Sequence, residues 1–203
     1  MNTNIKNRKH SENILVVQRH KIFGNQAFNG IEKLNINSYL DIIKNNMEFK
    51  PRYLMEEDIA FKQVIPYIIF QASNKIFVMQ RQDNASEQRL KNKFSIGIGG
   101  HIRITDVSSD SIIDWAKREF YEEVIFNDDF DAQIIGIVND ESTFVGKVHI
   151  GVVILMISQS ENIKIKSELK SGKLVAIQDL YQYVDDMENW SQIIIKEFWP
   201  KLL

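Results

Sequence analysis

Residues 148–157, VHIGVVILMI, are apolar at nearly every position. Successive side chains on a strand point to opposite faces, so a strand with one wet face alternates apolar and polar residues. This run does not alternate. It reads as a strand covered on both faces, which demands packing layers above and below its sheet. Segments 133–138, 64–72 and 75–80 are also strand-like, the last two separated by the hairpin signal Ser73-Asn74. Residues 14–17, 94–98 and 173–177 read as shorter strands. Tyr39, Leu40, Ile42 and Ile43 recur at helical spacing, predicting a helix over 38–46, with further helices over 179–184 and 191–198. Residues 24–30 and 81–93 read as loops, and 49–58, with Pro51 and Glu56-Glu57, as irregular. This order predicts an α/β (α+β) fold in which a mixed sheet carries helices on both faces.

The stretch 111–126, SIIDWAKREFYEEVIF, carries the chemistry. Ile112, Ile113, Ala116, Phe120 and Val124 fall on one side at 3.6-residue spacing, and Asp110 or Ser111 can cap the start. Glu119, Glu122 and Glu123 are spaced i, i+3, i+4, so their carboxylates share one face, which borders the apolar stripe. Like charges this close repel, at the helix end where the macrodipole also disfavours anions. Partial burial adds a further cost. A divalent cation among the three turns each penalty into ligation. A bare ExxEE more often marks only a solvated acidic face.

The bounds of the chain are ordinary. Its 203 residues suit one domain with a sizeable core. The net charge of −2 gives no footprint for nucleic acid. Cysteine is absent, which removes disulfides and thiolate metal sites and is compatible with a cytoplasmic location. The first dozen residues are polar and slightly basic, unlike a signal peptide, and read as a loose arm. No run of about 18 apolar residues exists, so no membrane-spanning helix is expected.

Arg118-Glu119-Phe120-Tyr121-Glu122-Glu123, with Gly99-Gly100-His101-Ile102 upstream, resembles the core of the Nudix box. That box runs Gly, five residues, Glu, seven residues, Arg-Glu, and closes with Glu-Glu. Position 110, eight before Arg118, holds Asp110 where the box has Glu. Gly100 stands four residues too far upstream, and Ile125 replaces a Gly after the Glu pair, leaving Asn127 to take a left-handed exit. Segments around 56–67, 97–102 and 138–151 extend the likeness to a bacterial subgroup of MutT-like phosphoesterases, over roughly residues 12–200. The resemblance implies a Nudix-like α/β/α sandwich over 13–203, with 13–60 as an N-terminal extension packed on it.

The resemblance further implies a hydrolase that cleaves the diphosphate linkage of a nucleoside diphosphate derivative. Glu119, Glu122 and Glu123 would bind Mg²⁺, or Mn²⁺, with the Gly100 carbonyl as a further ligand. Arg118 would brace the carboxylates, and one of these acids or Glu141 would take the proton from water. Arg81, Arg89, His101 and His149 are candidates for substrate contact, each weighed against an ordinary loop or half-buried role. Phe94, Phe144 and Trp190 read as core before base-stacking residues. His10 and His20 have no neighbours that suggest zinc. The expected partner is a small molecule, with no membrane and no nucleic acid, and a homodimer is left open. The alternative reading is a nucleotide-binding sensor with weak turnover, favoured by the lengthened loop and Asp110. Isomerase chemistry on an isoprenoid diphosphate, on a related fold, would ordinarily want a cysteine, and none is present.

Overall fold

The computed structural model describes residues 12–81, 93–166 and 169–200. In chain order, β1 (Asn13–Gln18) and α1 (Arg19–Phe23) lead to β2 (Gly30–Glu32), α2 (Ile36–Asn46), β3 (Glu48–Pro51) and α3 (Arg52–Met55). Then come β4 (Phe61–Ala72), β5 (Lys75–Arg81), β6 (Phe94–Ser95), β7 (Gly97–Gly99) and the helix α4 (Ile112–Glu123). The chain closes with β8 (Val124–Ile125), β9 (Asp131–Asn139), α5 (Phe144–Val148), β10 (His149–Ser158), β11 (Lys164–Ile165), β12 (Leu169–Ala176) and α6 (Asn189–Phe198).

The long apolar strand is central. β10 pairs with β4 in parallel from His149↔Gln63 to Ser158↔Ala72, and with β9 in antiparallel on its other edge. The main sheet is mixed, with the order β12-β5-β4-β10-β9-β2. The free edge of β4 is shared in turn by β1, β7 and β5. Both faces are covered. Val64, Ile68 and Phe70 of β4 and Ile150, Val152 and Ile154 of β10 pack with Trp115, Ala116 and Phe120 of α4. Tyr67 and Ile69 of β4 and Val153 of β10 pack with Leu180, Val184, Ile194 and Ile195 on the opposite side. Near-continuous apolarity in β10 thus follows from burial on two faces.

Several boundaries differ from the sequence reading. The helix ends at Glu123 rather than 126, because Val124 turns extended and β8 pairs with β11. No left-handed exit at Asn127 is used, since among the described residues Ser73 alone, apart from glycines, has positive φ. The irregular 49–58 contains β3, an edge strand on β1, and the short helix α3. Pro51 ends this edge strand, where a proline is tolerated, and takes the N-cap position of the helix. Residues 177–186 form 3-10 turns instead of an α-helix. The segment 13–60 contributes three strands to the sheet, β1 and β3 at one side and β2 on the edge of β9.

Candidate active site

α4 is fixed to the sheet by its apolar stripe, with the Phe120 ring stacked on Phe70 at 6.1 Å. Stripe residues Ile112, Trp115, Ala116 and Phe120 are buried, and so is Glu123 at the stripe's edge. The three glutamates then fall in distinct environments. Glu119 is largely buried, Glu123 is buried, and Glu122 is about half exposed. Burial, helped by the neighbouring Glu122 charge and opposed by Arg118, holds the Glu119 carboxyl above its ordinary range.

Arg118 organises this end of the helix. Its Nε and Nη2 donate to the two carboxylate oxygens of Asp106, both at 2.7 Å. Nη2 also donates to the His101 carbonyl at 2.9 Å and meets Glu119 Oε1 at 2.7 Å. Nη1 lies 3.0 Å from Glu122 Oε2. Burial works against this charge, but Asp106, Glu119 and Glu122 outweigh it and hold the guanidinium above its usual value.

Asp106 is the residue that sequence reasoning missed. Asp110 is exposed, whereas the Asp106 side chain is 5% exposed and bidentate on Arg118. The acid that serves Arg118 is therefore placed by its distance from Gly100, five residues intervening, and not by its distance from Arg118. The four additional residues lie between Asp106 and the helix, where Ser109 takes the turn and its carbonyl accepts from Trp115 Nε1 at 2.7 Å. Ser111 holds the cap position without a side-chain cap bond.

Gly100 faces the Glu119 carboxylate. A Cβ built on it would stand 2.3 Å from Glu119 Oε2, so backbone and carboxylate approach at a distance only glycine permits. The donor set, carboxylates and a backbone carbonyl, suits a hard divalent cation. Among the described residues no three His, Asp or Glu side chains form a ready-made metal cluster. Arg118 draws Glu119 and Glu122 to itself instead. Gly100 stands against Glu119, and Glu123 lies one turn further along the same helix, so the residue types present match a hard divalent cation in chemistry.

The histidines form a buried group behind the loop. His101 Nε2 lies 2.7 Å from Gln63 Oε1 and 3.4 Å from His149 Nε2, and His149 Nδ1 lies 2.8 Å from the Val145 carbonyl. Gln63 Nε2 donates to the Met55 carbonyl, which leaves Oε1 as the acceptor. The Val145 carbonyl can only accept, so His149 carries its proton on Nδ1 and His101 carries its own on Nε2. Burial, then Arg52, His149, Arg103 and Arg118, press the His101 pKa well below its ordinary value, so the ring stays neutral.

Glu141 belongs to a different network. The Lys62 side chain, 0% exposed, donates to Glu141 Oε1 at 2.7 Å, Asn139 Oδ1 at 2.9 Å, and the carbonyls of Gly146 at 2.7 Å and His149 at 3.1 Å. Arg19 takes the other Glu141 oxygen at 3.0 Å. No pattern marks a lysine so placed, since Lys62 precedes an apolar strand like any flanking charge. Arg89 and the Arg81 side chain lie outside the described residues. Phe94 packs edge-on against Tyr183 at 5.1 Å and Trp190 against Tyr67 at 5.6 Å, as core residues do. Phe144 is 56% exposed and is not core. His20 has no metal-ligating cluster around it among the described residues, and His10 lies outside them.

Comparison with known proteins gives a consistent picture. No family model matches the chain. Protein YmaB of Bacillus subtilis (strain 168) is 32% identical over 203 residues, taking in 92% of this chain and 97% of that protein. The crystal structure of Tm1382, described as a candidate Nudix hydrolase, superposes with a TM-score of 0.73 at 29% identity, over 90% of this chain and 96% of that one. The NUDIX domain of Shewanella oneidensis NrtR, solved with ADP ribose, shares the fold at a TM-score of 0.55 and 14% identity, over 70% of this chain and 89% of that one. A bifunctional NMN adenylyltransferase/ADP ribose pyrophosphatase from Francisella tularensis, complexed with AMP and a Mn ion, matches at 0.52 and 15%, over 70% of this chain and 42% of that one. No described helix is long and apolar enough to cross a membrane.

Proposed function

The chain belongs to the Nudix superfamily, and from that premise we propose that it is a metal-dependent hydrolase of a nucleoside diphosphate derivative, cleaving the diphosphate linkage by attack of water at phosphorus. The observation that carries this reading is the close approach of Gly100 to Glu119, on the helix that also presents Glu122 and Glu123. Glu119, Glu122 and Glu123 with the Gly100 carbonyl would hold Mg²⁺ or Mn²⁺. Such an ion supplies positive charge against the phosphates and makes water a stronger acid. Arg118 keeps Glu119 and Glu122 on one side of the helix, and Asp106 fixes Arg118. Glu141, already shared by Lys62 and Arg19, is a poor proton acceptor, so that role falls to a glutamate of α4. The ADP ribose and Mn ion seen with fold relatives make ADP-ribose-like compounds the first substrates to test.

One feature favours the second reading, a nucleotide-binding sensor. Glu119 and Glu122 both contact Arg118, and a cation must compete for them. The two readings separate in one experiment. Nucleoside di- and triphosphates, dinucleoside polyphosphates, sugar nucleotides and ADP ribose are incubated with the protein and Mg²⁺ or Mn²⁺, and products are resolved by chromatography. Turnover that Glu122→Gln largely removes while the fold survives supports the hydrolase. Tight binding without turnover across the panel assigns the sensor.

A further inference from the structure

Arg103 lies between two carboxylates from distant parts of the chain. Its Nη2 meets Glu12 Oε1 at 2.9 Å, and its Nη1 stands 3.8 Å from Glu122 Oε1, beyond hydrogen-bonding distance. Its Nε is buried and makes no hydrogen bond within the described residues. The side chain is 31% exposed, so a small anion can reach it. Neighbouring cations are committed elsewhere. Arg118 spends Nε and Nη2 on Asp106 and the His101 carbonyl, and its Nη1, which also makes no hydrogen bond within the described residues, is paired in charge with Glu122; Lys62 is enclosed by four acceptors, and Arg52 pairs with Glu56 one turn along at 2.8 Å. Arg103 therefore has donors to spare at the edge of the acidic site.

Backbone contacts hold it there. The Ile102 carbonyl accepts from Leu15 N at 2.8 Å, and the Glu12 carbonyl accepts from Arg52 N at 2.8 Å. The start of β1 is thus tied to the loop after Gly100 and to α3, which delivers the Glu12 carboxylate to Arg103. A guanidinium fork accepts a carboxylate or a phosphate with the same geometry, and the phosphate carries more charge.

We propose that Arg103 binds a phosphate of the diphosphate substrate, and that Glu12 holds its guanidinium in place until that phosphate displaces it. The inference rests on reading the surface beside Glu119 and Glu122 as the place of the diphosphate. It makes the residue just ahead of β1 part of substrate binding, with Glu12 and Arg103 acting in opposite senses on affinity.

The test is calorimetric titration of the full chain with inorganic pyrophosphate, using the native protein, Arg103→Ala, Arg103→Lys and Glu12→Gln. Arg103→Ala weakens binding about tenfold or more, the size of one charge-assisted hydrogen bond. Arg103→Lys falls between, and Glu12→Gln tightens binding several-fold by removing the competitor. Unchanged affinity in a folded Arg103→Ala, weaker binding in Glu12→Gln, or no pyrophosphate binding by the native protein overturns the proposal. Glu12→Gln reads the sign even where Arg103→Ala fails to fold. Substrate turnover whose KM ignores Arg103→Ala rejects the role of Arg103 and leaves hydrolysis standing. Arg103-dependent pyrophosphate binding without turnover does the reverse.

Discussion

Gly100 and Glu119 stand so close that a methyl group on the glycine would sit 2.3 Å from the glutamate's Oε2. Gly100→Ala must therefore push Glu119 off its position. A displacement of about 1 Å in a site of this kind costs on the order of a hundredfold in turnover. We expect that loss in kcat with the substrate found by the panel, and a melting temperature that falls only modestly. Full activity in Gly100→Ala excludes the glycine–glutamate contact from the chemistry.

Asp106 and Asp110 make a paired prediction. Asp106→Asn breaks a bidentate, largely buried ion pair and costs about 2 kcal/mol or more in urea unfolding. Turnover falls with it, because Arg118 loses its anchor. Asp110→Asn alters an exposed side chain and stays within about 0.5 kcal/mol of the native protein. The opposite ranking would restore Asp110 as the acid of the motif.

Lys62→Met removes the positive charge from a group of buried acceptors. Glu141 keeps Arg19 but loses its buried partner, and the Gly146 and His149 carbonyls lose their donor. Breaking a buried pair in this way costs about 3–5 kcal/mol. Adding Glu141→Gln to Lys62→Met recovers part of the loss, which a double-mutant cycle in urea measures.

Glu141 also predicts a pH dependence. Burial alone raises its pKa, but Lys62, Asn139 and Arg19 outweigh burial and hold it below the ordinary glutamate value. The unfolded chain then binds the proton more readily than the folded one. Stability from this group is present above the unfolded pKa and is lost as pH falls through the folded pKa. Urea midpoints measured from neutral pH downward should fall less steeply in Glu141→Gln than in the native protein.

Metal dependence is checked by chelation. EDTA should abolish turnover, and adding Mg²⁺ or Mn²⁺ in excess should restore it, with little change in circular dichroism, because Arg118 already balances Glu119 and Glu122 without the ion. Turnover that persists in EDTA rejects the ligand role of the glutamates.

Much of this was legible in the sequence wherever one physical rule acted alone. Burial on both faces marked β10, and the 3.6-residue period marked α4 and left Glu123 at the stripe's edge. The helix end was not legible, because Val124 and Ile125 continue the apolar period while their backbone pairs with Lys164 and Ile165, distant in sequence. Asp106 was hidden by counting back from Arg118, although counting forward from Gly100 finds it. Lys62 carries no local signal at all. Its burial depends on Asn139, Glu141, Gly146 and His149, which the pairing of β10 with both β4 and β9 brings to it.

That parallel pairing has a consequence during synthesis. β4 and β10 flank an interval of the chain that contains α4 and the whole acidic site, so the two central strands meet only after His149 and the rest of β10 have left the ribosome. Until then β4 lacks its longest partner, and Lys62 has no His149 carbonyl to hold. A nascent chain stopped short of β10 has the glutamates and the β4 residues that α4 packs on, but lacks Ile150, Val152 and Ile154 from the same core. Loop closure over such a span is slow compared with local helix formation. The helix thus forms early as a local structure and becomes a site late, when the sheet closes behind it.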